Sequence, residues 1–416
     1  MNDRSHPNLI LFTLWLMVFV SASQVMIVAP IVPRIAEELH VAESLLGSLM
    51  TVYAMAVGVV ALITGPVSDR FGRRKILMVG TGVMGAALLM HAFADSFSAL
   101  LLVRGLAGIA GGILSGGAVA YVGDYFPVNR RGWAGGWVMS GLAAGQIAGV
   151  PLGNLLADWL GFRAPFLALA VIAILSFFLI LWRLPQPSVE LTEELSLKSA
   201  LKGYWELLQR KDVRAAAIAF LTMFMGLSLF VTFFPTWLEK ELGFTAVMVS
   251  LLYVVGGAAN VMVGPQAGKL SDRIGRVRVV IWGSAGAALL MPVITFVPAN
   301  ATWLVFPLFF MTMALIASRM SPLQALMTQL TTDRQRGTLM SLVLSIGQIG
   351  FGIGSGVAGA SWAAFGFTGN ALIAMASVLL MAWIVWYYLS DADRIESASS
   401  KYDVGEVESN VTPKMP

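Results

Sequence analysis

Twelve apolar stretches, each of about 18 residues or more and so long enough to cross a bilayer, divide the chain. Six run over residues 9–33, 45–67, 76–95, 98–123, 134–157 and 164–184; six more run over 214–238, 246–267, 279–298, 302–328, 338–361 and 366–390. A polypeptide in hydrocarbon must satisfy every backbone group internally, so these stretches predict an all-α membrane protein. With 57% hydrophobic and 12% charged residues, the 416-residue chain lies far outside the range of water-soluble globules.

A duplication sorts the twelve spans into two sets of six. Residues 65–75 read GPVSDRFGRRK and residues 268–278 read GKLSDRIGRVR, so Gly65, Ser68, Asp69, Arg70, Gly72 and Arg73 recur in register 203 residues later. Each copy follows one apolar run and precedes the next, which makes it a tight, basic, hydrophilic elbow between two helices. The pattern predicts two pseudo-symmetric six-helix bundles, 1–184 and 214–390, joined by a linker over 185–213. Leu197, Leu201, Tyr204, Trp205 and Leu208 recur at helical spacing in that linker and predict a helix in the headgroup plane. The polar stretch 391–416 reads as a disordered tail. Residues 9–33 are too long for a signal-peptide core and read as the first retained span.

Charge sets the orientation. All but five of the 27 lysines and arginines fall in segments that share a side if the N-terminus is cytoplasmic. Both termini and the linker are then inside a cell (inner) membrane. Arg34, Arg163 and Lys240 fall in the outer loops, and Arg104 and Arg319 fall within apolar spans. A charge at that depth is expensive unless it faces water or a partner, so both are candidate site residues. No acid lies near the middle of a span; Asp95 and Asp124 sit at span ends. There is no cysteine, and His6, His40 and His91 are too far apart in sequence to suggest a metal site. No nucleophile with its base, phosphate loop or metal motif is visible, so neither an enzyme nor an ATP-driven pump is expected, and no cofactor. The scattered basic elbows also argue against a nucleic-acid partner.

These residues resemble the major facilitator superfamily, in particular its twelve-helix drug and sugar efflux branch, over residues 9–390. The loop signature between helices 2 and 3 is matched by Gly65, Asp69, Arg70, Gly72, Arg73 and Arg74. The resemblance implies a conformational latch of Asp69, Arg70, Gly72, Arg73 and Asp124, with Asp272, Arg273, Gly275 and Arg276 as a second copy. It would hold the cytoplasmic ends together in the outward-open state. A helix 4 signature is matched in part by RGLAG at 104–108, where Ala107 replaces the usual glutamine. A helix 5 signature is matched by Gly141, Gly145, Gly149 and Gly153 with Pro151. Spaced by four, these glycines share one helix face and suit a gating contact. Gly350, Gly352, Gly354 and Gly356 echo them in helix 11. In helix 1 the antiporters' membrane aspartate falls at Gln24, which binds hydrogen-bonding groups but carries no proton near neutral pH.

By the same resemblance helices 1, 4, 7 and 10 surround a central cavity. The substrate-binding candidates are then Gln24, Arg104, Phe230, Phe233, Phe234, Arg319 and Gln324, together with Trp15, and Met223, Phe224, Met225, Met311 and Met313 as an adaptable apolar wall. The two arginines are not repeat mates: the Arg131–Gly132 and Arg336–Gly337 pairs give an offset of 205, which places Arg319 opposite Leu114, ten residues or about 15 Å deeper than Arg104. The expectation is a monomeric secondary active transporter that works by alternating access. It would export small amphipathic compounds such as drugs, sugars or metabolites, with proton coupling implied by the family. The alternatives are uptake or exchange of an organic anion on Arg104 and Arg319, and a non-transporting membrane sensor or receptor.

Overall fold

The computed structural model describes residues 7–187 and 197–389; the expected disordered tail from 391 onward and much of the first part of the linker lie outside the described residues. Among the described residues all regular structure is helical. The first half comprises α1 (Pro7–Met26), α2 (Val28–Leu39), α3 (Glu43–Phe71), α4 (Arg73–Met90), α5 (Phe97–Leu114), α6 (Gly117–Tyr125), α7 (Val128–Ala144), α8 (Val150–Leu160) and α9 (Arg163–Arg183). After the linker helix α10 (Leu197–Gln209), the second half comprises α11 (Lys211–Val231), α12 (Phe234–Leu242), α13 (Ala246–Ile274), α14 (Arg276–Val293), α15 (Val305–Gln329) and α16 (Asp333–Tyr388).

Ten of the described helical stretches are long and apolar enough to cross a membrane. Two further features bring this into line with twelve spans. α7 and α8 are continuous through one turn of π-helix over Gly145–Gly149 and together run the length of a crossing. α16, at 56 residues, would be about 84 Å long against a hydrocarbon core of about 30 Å. It must cross twice, and it folds back at Gly366, where φ 63° and ψ −163° take the backbone out of the helix.

The duplicated elbow is tighter than its hydrophilic sequence predicts. α3 stays helical to Phe71 and α4 starts at Arg73, so Gly72 alone, at φ 93° and ψ 143°, reverses the chain. Gly275, at φ 99° and ψ 136°, does the same between α13 and α14. A side chain at that φ would be strained, which is why glycine recurs at this register in both copies. At 29 residues α3 is about 43 Å long, enough to carry Asp69 and Arg70 beyond the hydrocarbon.

Three spans of the expected cavity set are broken. α1 gives way to α2 around Ile27, and α5 to α6 at Ser115–Gly116, with Gly116 at φ 71°. α11 gives way to α12 at Thr232–Phe233, just before Pro235, which has no N–H to offer the preceding turn. At Ile27 the backbone stays helical and its N–H reaches the Ser23 carbonyl at 3.0 Å, whereas the unwound backbone at Ser115–Gly116 and Phe233 is tolerated at membrane depth where protein or water covers it. α10 buries Tyr204 and Leu207 and leaves Leu201 and Trp205 exposed, and the Tyr204 hydroxyl donates to the Leu62 carbonyl at 3.0 Å.

The two halves meet along two helix seams, each of which closes at one end and parts at the other. In the first seam α3 runs against α16. Thr51 Oγ1 donates to the Gly352 carbonyl at 2.8 Å, and a methyl added at Gly58 would lie 2.9 Å from the Ser345 carbonyl. Continued in the same antiparallel register, Gly65 should face Thr338, next to Gly337, yet neither Gly65 nor Gly337 has any atom within 4 Å of an added methyl. In the second seam Asn154 Nδ2 donates to the Ala246 carbonyl at 3.0 Å and to Ser250 Oγ at 3.1 Å, and Asn260 Nδ2 donates to Gln146 Oε1 at 3.2 Å. Beyond that point Gly264, Gly135 and Gly136 stand in open space. Both seams therefore open toward the end that carries the elbows.

Candidate functional site

At the elbow, Arg73 is the centre of a polar knot. Its Nη2 pairs with Asp69 at 2.7 Å, its Nε with Asp124 at 2.7 Å, and its Nη1 donates to Ser68 Oγ at 2.9 Å. Asp69 lies one turn before Arg73 and Asp124 near the end of α6, so one guanidinium ties three elements of the first half. The groups are partly exposed, and each pair is worth about 1 kcal/mol or less. In the second copy Arg276 and Asp272 are 3.8 Å apart. Arg70 and Arg273, the outward-pointing members of the motif, are exposed.

Arg104 sits within α5 and is 1% exposed. Its Nη1 donates to Gln24 Oε1 at 2.9 Å and to the Gln24 carbonyl at 3.3 Å, and its guanidinium carbon lies 4.6 Å from the centroid of the Tyr53 ring. α1, α3 and α5 thus bring Gln24, Tyr53 and Arg104 together inside the first half. Arg104 Nε and Nη2 and Gln24 Nε2 are buried donors without a protein acceptor. Arg319, in α15, is likewise 1% exposed, and its Nε and Nη1 find no acceptor. Both arginines are buried in this conformation, Arg104 against Gln24 and Tyr53 of its own half.

The aromatic candidates also pack rather than face open space. Phe230, Phe233 and Phe234 are buried; Phe234 stacks on Phe309 at 5.0 Å and Phe230 at 5.1 Å, and Phe233 stacks on Trp362 at 5.4 Å. With Phe367 and Trp237 they form a plug at the end away from the elbows, where α12 begins. Gln324 and Trp15 are half-buried, Trp15 donating its Nε1 to Ser140 Oγ at 3.1 Å. Of the methionines, Met223 and Met313 are buried, Met225 is half-buried and Met311 is exposed on the outer surface of its helix.

The glycine ladder of helix 5 faces α1, a neighbour within the same half. Methyl groups added at Gly141 and Gly145 would meet Trp15, Phe19 and Ala22 at 2.7–3.0 Å, and those at Gly149 and Gly153 would collide with Ser23 and Ile27. Pro151 lies on the other side, its carbonyl accepting from Ser250 Oγ at 3.3 Å across the seam. The contact between halves is made by the opposite face of the helix, where Ile147 fills the notch at Gly257.

Sequence reasoning missed the ion pairs at the far end. Arg34 Nη1 bonds Glu239 at 2.9 Å and Nη2 bonds Asp158 at 2.9 Å; Lys240 pairs with Glu43 at 2.8 Å; Arg163 pairs with Glu38 at 2.8 Å and Asp95 at 3.1 Å. The three cations that break the charge bias are thus all paired there. The exceptions themselves were the available signal.

The family model described as Major Facilitator Superfamily matches residues 14–318 and 216–407. The chain is 26% identical over 390 residues to the "Multidrug resistance protein MdtG" of Escherichia fergusonii, covering 90% of this chain and 93% of that one. It is 25% identical over 349 residues to the "Uncharacterized MFS-type transporter YceJ" of Bacillus subtilis, covering 83% and 88%. Among solved structures it resembles a D-xylose–proton symporter, with a TM-score of 0.76 at 17% identity over 92% of this chain and 98% of that one. A bacterial homologue of the human lysosomal transporter Spinster, described as inward-facing and unoccupied, gives 0.70 at 16% identity over 94% and 98%.

Proposed function

The chain belongs to the Major Facilitator Superfamily, and we propose that within it this protein is an alternating-access exporter of small amphipathic compounds, driven by proton antiport, with a single copy as the transport unit. The observation that carries this reading is the pair of seams, closed at one end and parted at the other. Two rigid halves that touch only at one end are related by a rocking motion to a state that touches only at the other. The excess of lysine and arginine makes the elbow end cytoplasmic, so this conformation opens inward. The similarity to a protein named for multidrug resistance supports export.

In this reading the Arg73 knot readies one half of a latch. Rocking would bring Asp69 toward the start of α16, which carries the positive end of the helix dipole. Gly65 would then meet the Gly337–Thr338 stretch, continuing the register of the closed part of the seam. Gln24 cannot carry the proton, and any coupling must run through another group.

A second reading, transport of an organic anion, is favoured by the buried donors on Arg104, Gln24 and Arg319. They lack acceptors, and a carboxylate would supply them. The experiment that separates the two uses proteoliposomes under an imposed pH gradient, loaded in turn with a lipophilic cationic dye, a neutral glycoside and an aromatic carboxylate. Gradient-driven movement of the dye or glycoside that stops when a protonophore is added supports proton-coupled export. Movement of the carboxylate alone, unaffected by protonophore at constant voltage, favours the anion reading.

A further inference from the structure

The linker helix α10 belongs to the second half by its packing. Tyr204 and Leu207 are buried in an apolar core with Val213 and Phe220 of α11 and Leu339 and Val343 of α16. Just past the end of α10, Arg210 Nη2 donates to the Leu330 carbonyl at 2.7 Å. One bond runs the other way. The Tyr204 hydroxyl donates to the Leu62 carbonyl of α3 at 3.0 Å, and among the described residues Leu62 is the only member of the first half packed against that core. The sequence explains why this carbonyl is open to an outside donor. In α3 its helical partner would be the N–H of residue 66, and residue 66 is proline. A carbonyl left unpaired away from water is costly, so Tyr204 supplies what the helix cannot.

Leu62 stands where the first seam parts. Contacts between α3 and α16 follow one register, Thr51 with Gly352 and Gly58 with Ser345, which puts Leu62 opposite Ser341. That is one turn past the close approach at Gly58 and one turn before the open space at Gly65. We propose that Tyr204 is a strap for the elbow-open state: it ties α10, and with it the second half, to α3 while the elbows are apart, and lets go when α3 closes on α16. The bond crosses the boundary between the two moving bodies at the end where they move. A hydrogen bond is lost once donor and acceptor are more than about 3.5 Å apart, a margin of about half an ångström here. This inference rests on the alternating access proposed above and gives the linker a part in it.

The chain has no cysteine, so a single introduced thiol can report on each end. Ser250 is buried in the second seam beside Asn154, and Ser250→Cys reacts when the far end opens; Gly65 stands in open space, and Gly65→Cys is covered when the elbow end closes. The test measures maleimide labelling of each on the purified full-length protein in nanodiscs, normalised to the rate on denatured protein. Tyr204→Phe removes only the hydroxyl. It should raise the Ser250→Cys rate about threefold to tenfold, the range of one hydrogen bond, while the Gly65→Cys rate falls. A rise at both positions would mean loosened packing and would overturn the strap. Restoring the missing donor gives a second check. Pro66→Ala lets α3 pair its own Leu62 carbonyl, and in that background Tyr204→Phe should change the Ser250→Cys rate by less than about twofold. An undiminished effect there, or a measurable Ser250→Cys rate that Tyr204→Phe leaves unchanged, would overturn the strap and leave alternating access standing. If Ser250→Cys stays unlabelled in every folded variant, alternating access itself fails, and the strap with it.

Discussion

Arg319 bears a charge about 15 Å from the elbow end of α15, ten residues before Gln329. Holding it there costs roughly 2.5 to 3.5 kcal/mol on insertion scales, and no acid is within ion-pair distance among the described residues. If the unpaired donors wait for a substrate, Arg319→Lys keeps the charge but loses the planar fork. It should weaken binding of a carboxylate by about tenfold or more while affecting a neutral compound little. Arg319→Gln should then stop carboxylate uptake into proteoliposomes, and normal uptake by that variant would make the arginine structural. The latch offers a second test: Asp69→Asn should abolish transport in a protein that still folds and inserts, because the carboxylate binds Arg73 at 2.7 Å. Asp272→Asn, whose carboxylate stands 3.8 Å from Arg276, should cost far less, and equal losses would erase the asymmetry. Arg104 and Arg319 were legible in the sequence because charge is rare at their depth. The Arg34–Glu239 pair, 205 residues apart in the chain, was not, because it depends on where the two halves touch.

Glycines decide the packing of individual elements, and the structure separates those that close a contact from those that await one. A methyl at Gly350 would strike the backbone of Leu221 in α11, which has no rotamer to yield. Gly350→Ala should therefore destabilise the second half by about 1–3 kcal/mol, seen as a lower melting temperature of the purified protein in detergent. Gly65→Ala meets nothing and should leave the melting temperature unchanged. If Gly65 is the point where α3 closes on α16, this silent substitution should still slow transport several-fold, and full activity would remove Gly65 from the closing seam. The four-residue spacing of the helix 5 glycines revealed one shared face, but spacing alone cannot name the neighbour. That neighbour is α1 because the large residues Ile147 and Asn154 occupy the face turned to α13. The one-residue elbow was equally hidden: charge marks where a chain leaves the membrane, and only φ shows how sharply it turns.

At the scale of the whole molecule, an all-helical membrane fold consistent with twelve spans was readable because hydrocarbon thickness fixes span length and the elbow recurs 203 residues on. The conformation was not, since an inward-open and an outward-open state share the same helices and nearly all contacts within each half. They differ only along the seams, where the free-energy difference between them must reside. Paired cysteines in this cysteine-free chain convert that difference into a measurement. Asn154→Cys with Ser250→Cys replaces side chains whose polar atoms are 3.1 Å apart, so oxidation should cross-link the pair in the present conformation. Gly65→Cys with Gly337→Cys should resist oxidation here, because a disulfide needs Cα atoms within about 7 Å and neither residue has a neighbour in reach. That pair should cross-link only as the elbow end closes, and a transported substrate that shifts the population should change its rate in the opposite direction from the first pair. Either cross-link alone should reduce transport to below about a tenth of the uncross-linked level, because a cycle blocked in one state cannot turn over, and reduction of the disulfide should restore it. Transport that continues with both halves locked at either end would mean that the seams do not alternate.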